Sequence, residues 1–124
     1  MQQTLVFVYG TLLQGERNHH HLHRAELVGG ARTRAVFTMI DLGSYPAMVR
    51  GGVTAVVGEV YRVDERTLAA LDELEGHPTL YRRERIELDD GRAVETYLLP
   101  AEQRPVGDHI SSGDFRGFKS RPGP

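Results

Sequence analysis

An α+β fold with a mostly antiparallel, strongly curved sheet or small barrel is the architecture this sequence predicts. Three observations predict it. Apolar stretches rich in β-branched and aromatic residues recur at short intervals, separated by Gly and Pro. One segment, Asp64-Glu-Arg-Thr-Leu-Ala-Ala-Leu-Asp-Glu-Leu-Glu75, carries helical periodicity between a capping aspartate and the Gly76/Pro78 stop. Asp90-Gly91 then joins two strand-like runs as a hairpin turn.

Taken in order, Thr4-Leu-Val-Phe-Val-Tyr9 is a buried strand that ends at Gly10. Gly15 to Asn18 interrupts the pattern. His19 to Leu27 suits a short helix, with Leu22 and Ala25 three apart and Asn18 as N-cap. Arg32 to Leu42 and Val53 to Val63 again read as strands, punctuated by Gly43, Pro46 and Gly51-Gly52. The helix from Asp64 to Glu75 follows, then strands over Tyr81–Leu88 and Arg92–Leu99. Periodicity is lost after Pro100. The expected division is one domain over residues 1–115 and a mobile tail over 116–124.

Composition narrows the function classes. The 124 residues hold 15 Lys+Arg against 17 Asp+Glu, a net charge of −2, which argues against nucleic acid as a partner. Lys119 is the only lysine, a bias that reads as genome composition and not as a binding patch. Cys is 0, which removes disulfides, zinc–thiolate sites and cysteine nucleophiles. No apolar run approaches the roughly 20 residues needed to span a membrane, and Met1-Gln2-Gln3-Thr4 lacks a signal-peptide pattern. A cytoplasmic protein is the expectation. A net charge this near zero permits self-association without specifying it.

Glu75 is the most informative residue. At roughly 100° per residue from Leu68, Leu71 falls near 300°, Leu74 near 240° and Glu75 near 340°, inside the apolar stripe. Glu73 falls on the opposite, solvated side and Asp72 between the two. Burial and the negative end of the helix both oppose ionisation of Glu75, and a carboxylate held near neutrality suits general acid–base work. The competing structural role is a bend at the last turn that pairs Glu75 with Arg82 or Arg83. If Glu75 is the working group, amide substitution at Asp72 and Glu73 should be tolerated far better than at Glu75.

Other patterns carry less chemistry. Gly10-Thr11-Leu12-Leu13-Gln14-Gly15 follows a strand, but Glu16-Arg17 stands where a phosphate loop needs Lys and then Ser or Thr. What remains is a Gly-Thr turn that either aims backbone N–H groups at an anion or is simply tight. His19 and His23 have the i, i+4 spacing of two zinc ligands, yet the Glu of HExxH is missing and no third ligand is indicated, so no metal is assigned. None of Ser44, Ser111, Ser112 and Ser120 lies in GxSxG. Asp72 and Glu75, neighbours on one turn, are not the opposed carboxylates of a glycosidase.

Taken together, the motifs resemble the gamma-glutamylcyclotransferase-like family, and within it the small gamma-glutamylamine cyclotransferase branch. Val8-Tyr9-Gly10-Thr11-Leu12 with Gly15 and Asn18-His19 resembles the family's N-terminal signature. Gly43-Ser44-Tyr45-Pro46-Ala47, Leu71-Asp72-Glu73-Leu74-Glu75-Gly76 with Pro78 and Tyr81, and Ser112-Gly113-Asp114-Phe115 continue the likeness, although a tryptophan is more usual at the last position. The resemblance implies a small, mostly antiparallel β-barrel with flanking helices, no cofactor, and a small-molecule γ-glutamyl substrate. It implies conversion of a γ-glutamyl amine or isopeptide to 5-oxoproline and free amine. It places the acid–base glutamate at Glu75 and the glutamyl portion against Tyr9, Gly10, Thr11 and Leu12. Tyr45 and Tyr81 are expected to line the pocket, or else to fill the core. Two other readings stay open: a non-catalytic small-ligand-binding module on the same fold, and metal-assisted hydrolysis through the histidine cluster.

Overall fold

A computed structural model describes residues 2–103 and 105–119. Strand β1 (Gln3–Val8) lies at the centre because Val6, Phe7 and Val8 are apolar on both faces and are covered on both. Alternation sends Val6 and Val8 to one apolar cluster and Phe7 and Tyr9 to the other. Four more strands flank it: β2 (Glu26–Arg32), β5 (Val57–Asp64), β6 (Arg82–Glu87) and β7 (Ala93–Leu98), in the order β2-β5-β1-β7-β6. The β1–β7 pairing is parallel and the other three are antiparallel. Strands β3 (Phe37–Asp41) and β4 (Pro46–Arg50) form a separate antiparallel hairpin. Gly58 lets β5 approach β1, since a Cβ there would stand 2.1 Å from the Val8 carbonyl oxygen.

Helix α1 (Glu65–Glu75) starts where expected. The Asp64 carboxylate accepts from the Thr67 N–H at 2.8 Å, and Gly76 ends the helix in the left-handed conformation at φ 69°. Leu71 is fully buried, and the helix packs on β5 and β1. Its last turn therefore reaches the end of β1, where the chain leaves the sheet. No helix among the described residues is long and apolar enough to cross a membrane.

The structure departs from the sequence reading in several places. The α+β class holds, but the strands make an open five-stranded sheet and a two-stranded hairpin, not a closed barrel. Among the described residues, the outer edges meet at the Thr33–Leu88 bridge beyond the ends of β2 and β6, with the Asp89 N–H donating to the Arg32 carbonyl and Arg34 pairing with Glu87 beside it. The helix expected over His19–Leu27 is a 3-10 turn over His19–Leu22, because a segment with so few apolar positions yields to the pairing that starts at Glu26 opposite Arg62. The strand expected over Arg32–Leu42 is broken at residues 34–36. Pro46, read as punctuation, instead opens β4, a position where proline's missing N–H is tolerated. Phe115–Lys119, where the expected domain meets the expected tail, forms a short helix, α2, with Phe115 buried. Residues 120–124 of the expected tail lie outside the described residues.

Candidate active site

Five separate stretches of chain meet at one pocket of ≈ 200 Å³: the loop after β1, the start of β4, the end of α1, the approach to β6, and the end of β7. Tyr9, Gly10, Thr11, Leu12, Tyr45, Glu75 and Tyr81 all line it, so every site residue expected from the sequence is brought together. A cavity of this size suits a small metabolite better than a drug-sized ligand.

The loop is shaped by its own backbone and by two side chains. The Leu13 N–H donates to the Gly10 carbonyl at 3.1 Å, closing a tight turn. Asn18 holds Thr11 twice, its backbone N–H donating to the Thr11 carbonyl at 2.9 Å and its side-chain amide to the Thr11 hydroxyl at 3.0 Å. Asn18 thus fastens the loop and does not cap a helix through its side chain. His19 Nδ1 lies 2.9 Å from the Leu12 carbonyl. Gly10 is required by close approach, because a Cβ would sit 2.8 Å from Cδ of Pro46. Among the described residues, none accepts from the N–H groups of Gly10, Thr11 or Leu12. Those donors remain available to an anion.

Glu75 stands across the pocket at the end of α1. No described residue hydrogen-bonds or ion-pairs its carboxylate, and burial pushes its pKa up to about 7. The arginines that the sequence offered as partners are engaged elsewhere. Arg83 forks onto Asp72 at 2.9 and 3.3 Å and reaches Glu95 at 3.2 Å, while Arg82 lies 3.9 Å from Glu102. Asp72 is correspondingly no idle surface carboxylate, because it also accepts from the Tyr97 hydroxyl at 2.7 Å. The expectation that it tolerates amide substitution as Glu73 does is revised on that ground.

Three phenols complete the wall. The Tyr81 hydroxyl donates to the Pro46 carbonyl at 3.0 Å, and the Tyr9 hydroxyl to the Tyr97 carbonyl at 2.6 Å. Burial pushes the pKa of Tyr9, Tyr81 and Tyr97 above the usual phenol range, so all three stay neutral. Tyr45, Leu74 and Leu80 are exposed at the same pocket and give it an apolar edge.

Sequence reasoning missed Arg17, Asn18, Pro46, Leu74, Leu80 and Tyr97 as lining residues. Arg17 has a local signal, two residues beyond Gly15 in the loop, where its guanidinium donates to the Ser44 carbonyl at 2.9 Å. Tyr97 has none. It reaches the site only because β7 pairs with β1 across more than 80 residues of chain.

The family described as Gamma-glutamyl cyclotransferase, AIG2-like matches residues 6–117. The name of a Vibrio cholerae relative includes the words gamma-glutamylcyclotransferase; it is 52% identical over 113 residues, covering 91% of this chain and 96% of the relative. The Gamma-glutamylaminecyclotransferase A of Danio rerio is 40% identical over 92 residues, covering 67% of this chain and 57% of its own length. Among solved structures, an AIG2-like protein from Mus musculus superposes with a TM-score of 0.70 at 28% identity, covering 85% of this chain and 81% of that one.

Proposed function

This chain belongs to the gamma-glutamyl cyclotransferase, AIG2-like family, and we propose that its pocket closes a γ-glutamyl amine or isopeptide into 5-oxoproline and free amine. An enzyme of the gamma-glutamylcyclotransferase type is what its relatives' names support. The observation that carries the finer reading is the pairing of unpartnered, desolvated Glu75 with the unpartnered N–H groups of the Gly10–Leu12 loop across one small cavity.

The chemistry needs those two parts. The substrate's α-ammonium cannot attack until it loses a proton, and Glu75 with a pKa of about 7 is ionised in a useful fraction near neutral pH. The freed amine attacks the γ-carbonyl carbon of the same molecule, and the C–N bond to the leaving amine breaks. Glu75 returns its proton to the departing nitrogen and takes the second proton from the ring nitrogen, which the released amine carries away as its ammonium, so no water is consumed and the carboxylate is regenerated. Loop N–H groups bind the α-carboxylate or the oxyanion that forms at the γ-carbonyl. Holding the flexible chain folded supplies much of the barrier reduction, because the attack is intramolecular. The buried tyrosines exclude water from the ring-closing step and confine the glutamyl portion.

Product analysis tests the reaction class. Incubation with a γ-glutamyl amine should release 5-oxoproline and amine in equal amounts. Free glutamate in place of 5-oxoproline would mean hydrolysis and would overturn the assignment. Binding without any product would instead identify a ligand-binding module on this fold.

A further inference from the structure

We propose that Glu59 and Arg116 form a clamp that positions the Gly10–Leu12 loop, which makes helix α2 a support of the active site. The proposal rests on the reading of that loop as the holder of the γ-glutamyl group. Glu59, on β5, is a buried carboxylate that the ring-closing chemistry does not use. One of its oxygens accepts from the Gln14 N–H at 3.0 Å and from the Tyr61 hydroxyl at 3.1 Å. The other faces the Arg116 guanidinium at 3.3 Å. Arg116 also donates to the Gln14 carbonyl at 2.9 Å. Gln14 is therefore gripped at both of its backbone polar groups, two residues beyond Leu12.

The arrangement aims at the loop and not at the core. Neither Glu59 nor Arg116 lines the pocket, so they act through Gln14, and Glu59 also through Tyr61, whose ring packs against His19. Asn18 and His19 fasten the carbonyls of Thr11 and Leu12, and Lys119 pairs with Glu16 on the far side of Gln14. The C-terminal motif Ser112-Gly113-Asp114-Phe115 delivers Arg116 to this place. Gly113, at φ 74°, passes so close to the Ala55 carbonyl that a Cβ would collide with it, and its own carbonyl accepts from the Val57 N–H at 2.8 Å. Asp114 then accepts from the Gly117 N–H at 3.2 Å, and Phe115 is buried. Burying a carboxylate is costly, and an apolar pair of the same volume would often be as stable. What a charge pair adds is a fixed register, here that of one loop peptide.

The test uses the full chain, with Arg116→Ala, Arg116→Lys, Glu59→Gln and the Arg116→Ala/Glu59→Gln double variant. Readouts are kcat and KM on γ-glutamyl-butylamine, the pH profile, and amide hydrogen exchange at Thr11–Leu13. Arg116→Ala should lower kcat/KM by about tenfold, leave the acid limb of the profile in place, and speed exchange in the loop. Arg116→Lys should recover part of the loss, and the double variant should be no worse than the poorer single one. Unchanged loop exchange, or losses that add in the double variant, would overturn the clamp. Faster loop exchange in variants of a wild type that turns over no γ-glutamyl amine would uphold the clamp and overturn the reading of the pocket.

Discussion

Glu75 differs from Asp72 and Glu73 in being desolvated with no partner for its carboxylate among the described residues. Asp72, one turn earlier, has Arg83 and the Tyr97 hydroxyl, while Glu73 faces water. The carboxyl of Glu75 keeps its proton up to about pH 7 because it is desolvated. The proposed role as a base needs the carboxylate form, so on that proposal kcat/KM should rise as pH climbs through about 7, and the Glu75→Gln variant should lose that limb with its activity. Stability should move the opposite way. Between the ordinary glutamate pKa of 4.5 and about 7 the folded state binds more protons than the unfolded one, so wild type loses stability as pH rises through that window. The Glu75→Gln variant should not lose it, and urea denaturation of both at pH 5 and pH 8 measures the difference. Parallel pH dependences would place Glu75 in water. The neighbours give a contrast. Asp72→Asn should cost about 1–3 kcal/mol of stability by weakening a partly buried charged hydrogen-bond network, against about 0.5 kcal/mol or less for Glu73→Gln.

At the scale of elements, the site depends on how α1 ends and on how the loop leaves β1. Asp64 and Gly76 set the two ends of the helix, and these signals are explicit in the sequence because capping chemistry is local. The Gly10 turn is equally readable, but its reason is not. The reason is Pro46, 36 residues away, whose ring fills the place of a Cβ. Gly10→Ala should push the loop off Pro46 and raise KM by about tenfold or more with the fold retained. Steady-state kinetics beside a thermal melt checks this, and an unchanged KM would mean that the loop does not hold substrate. The elements that sequence reasoning misplaced share one cause. His19–Leu22, β4 and α2 are short, and each is decided by a partner outside its own segment: β5 displaces the helical pattern after Leu22, the neighbouring β3 sets Pro46 opposite Asp41, and Glu59 and the apolar core hold α2. The Asp64–Glu75 helix and the Asp90-Gly91 hairpin carry their instructions within a dozen residues.

In the whole molecule, the central position of β1 is what assembles the site. Its antiparallel neighbour β5 leads directly into α1 and Glu75, and its parallel neighbour β7 contributes Tyr97 and lies beside β6, which follows Tyr81. Residues from five stretches of sequence thereby converge at one end of one strand. Their types could be picked out along the chain, since an apolar-face glutamate and a Gly-Thr turn are local anomalies. Their convergence could not, because strand order is set by long-range pairing. The barrel expectation erred on the same point: the sequence marks five of the seven strands and does not say which edges meet. The central claim is that Glu75 moves the proton in a ring closure. Its most direct test is 5-oxoproline release from a small panel of γ-glutamyl amines, comparing wild type with a folded Glu75→Gln variant. The account predicts release by wild type and a loss of at least about a hundredfold in the variant. Release at equal rates by both proteins would contradict it.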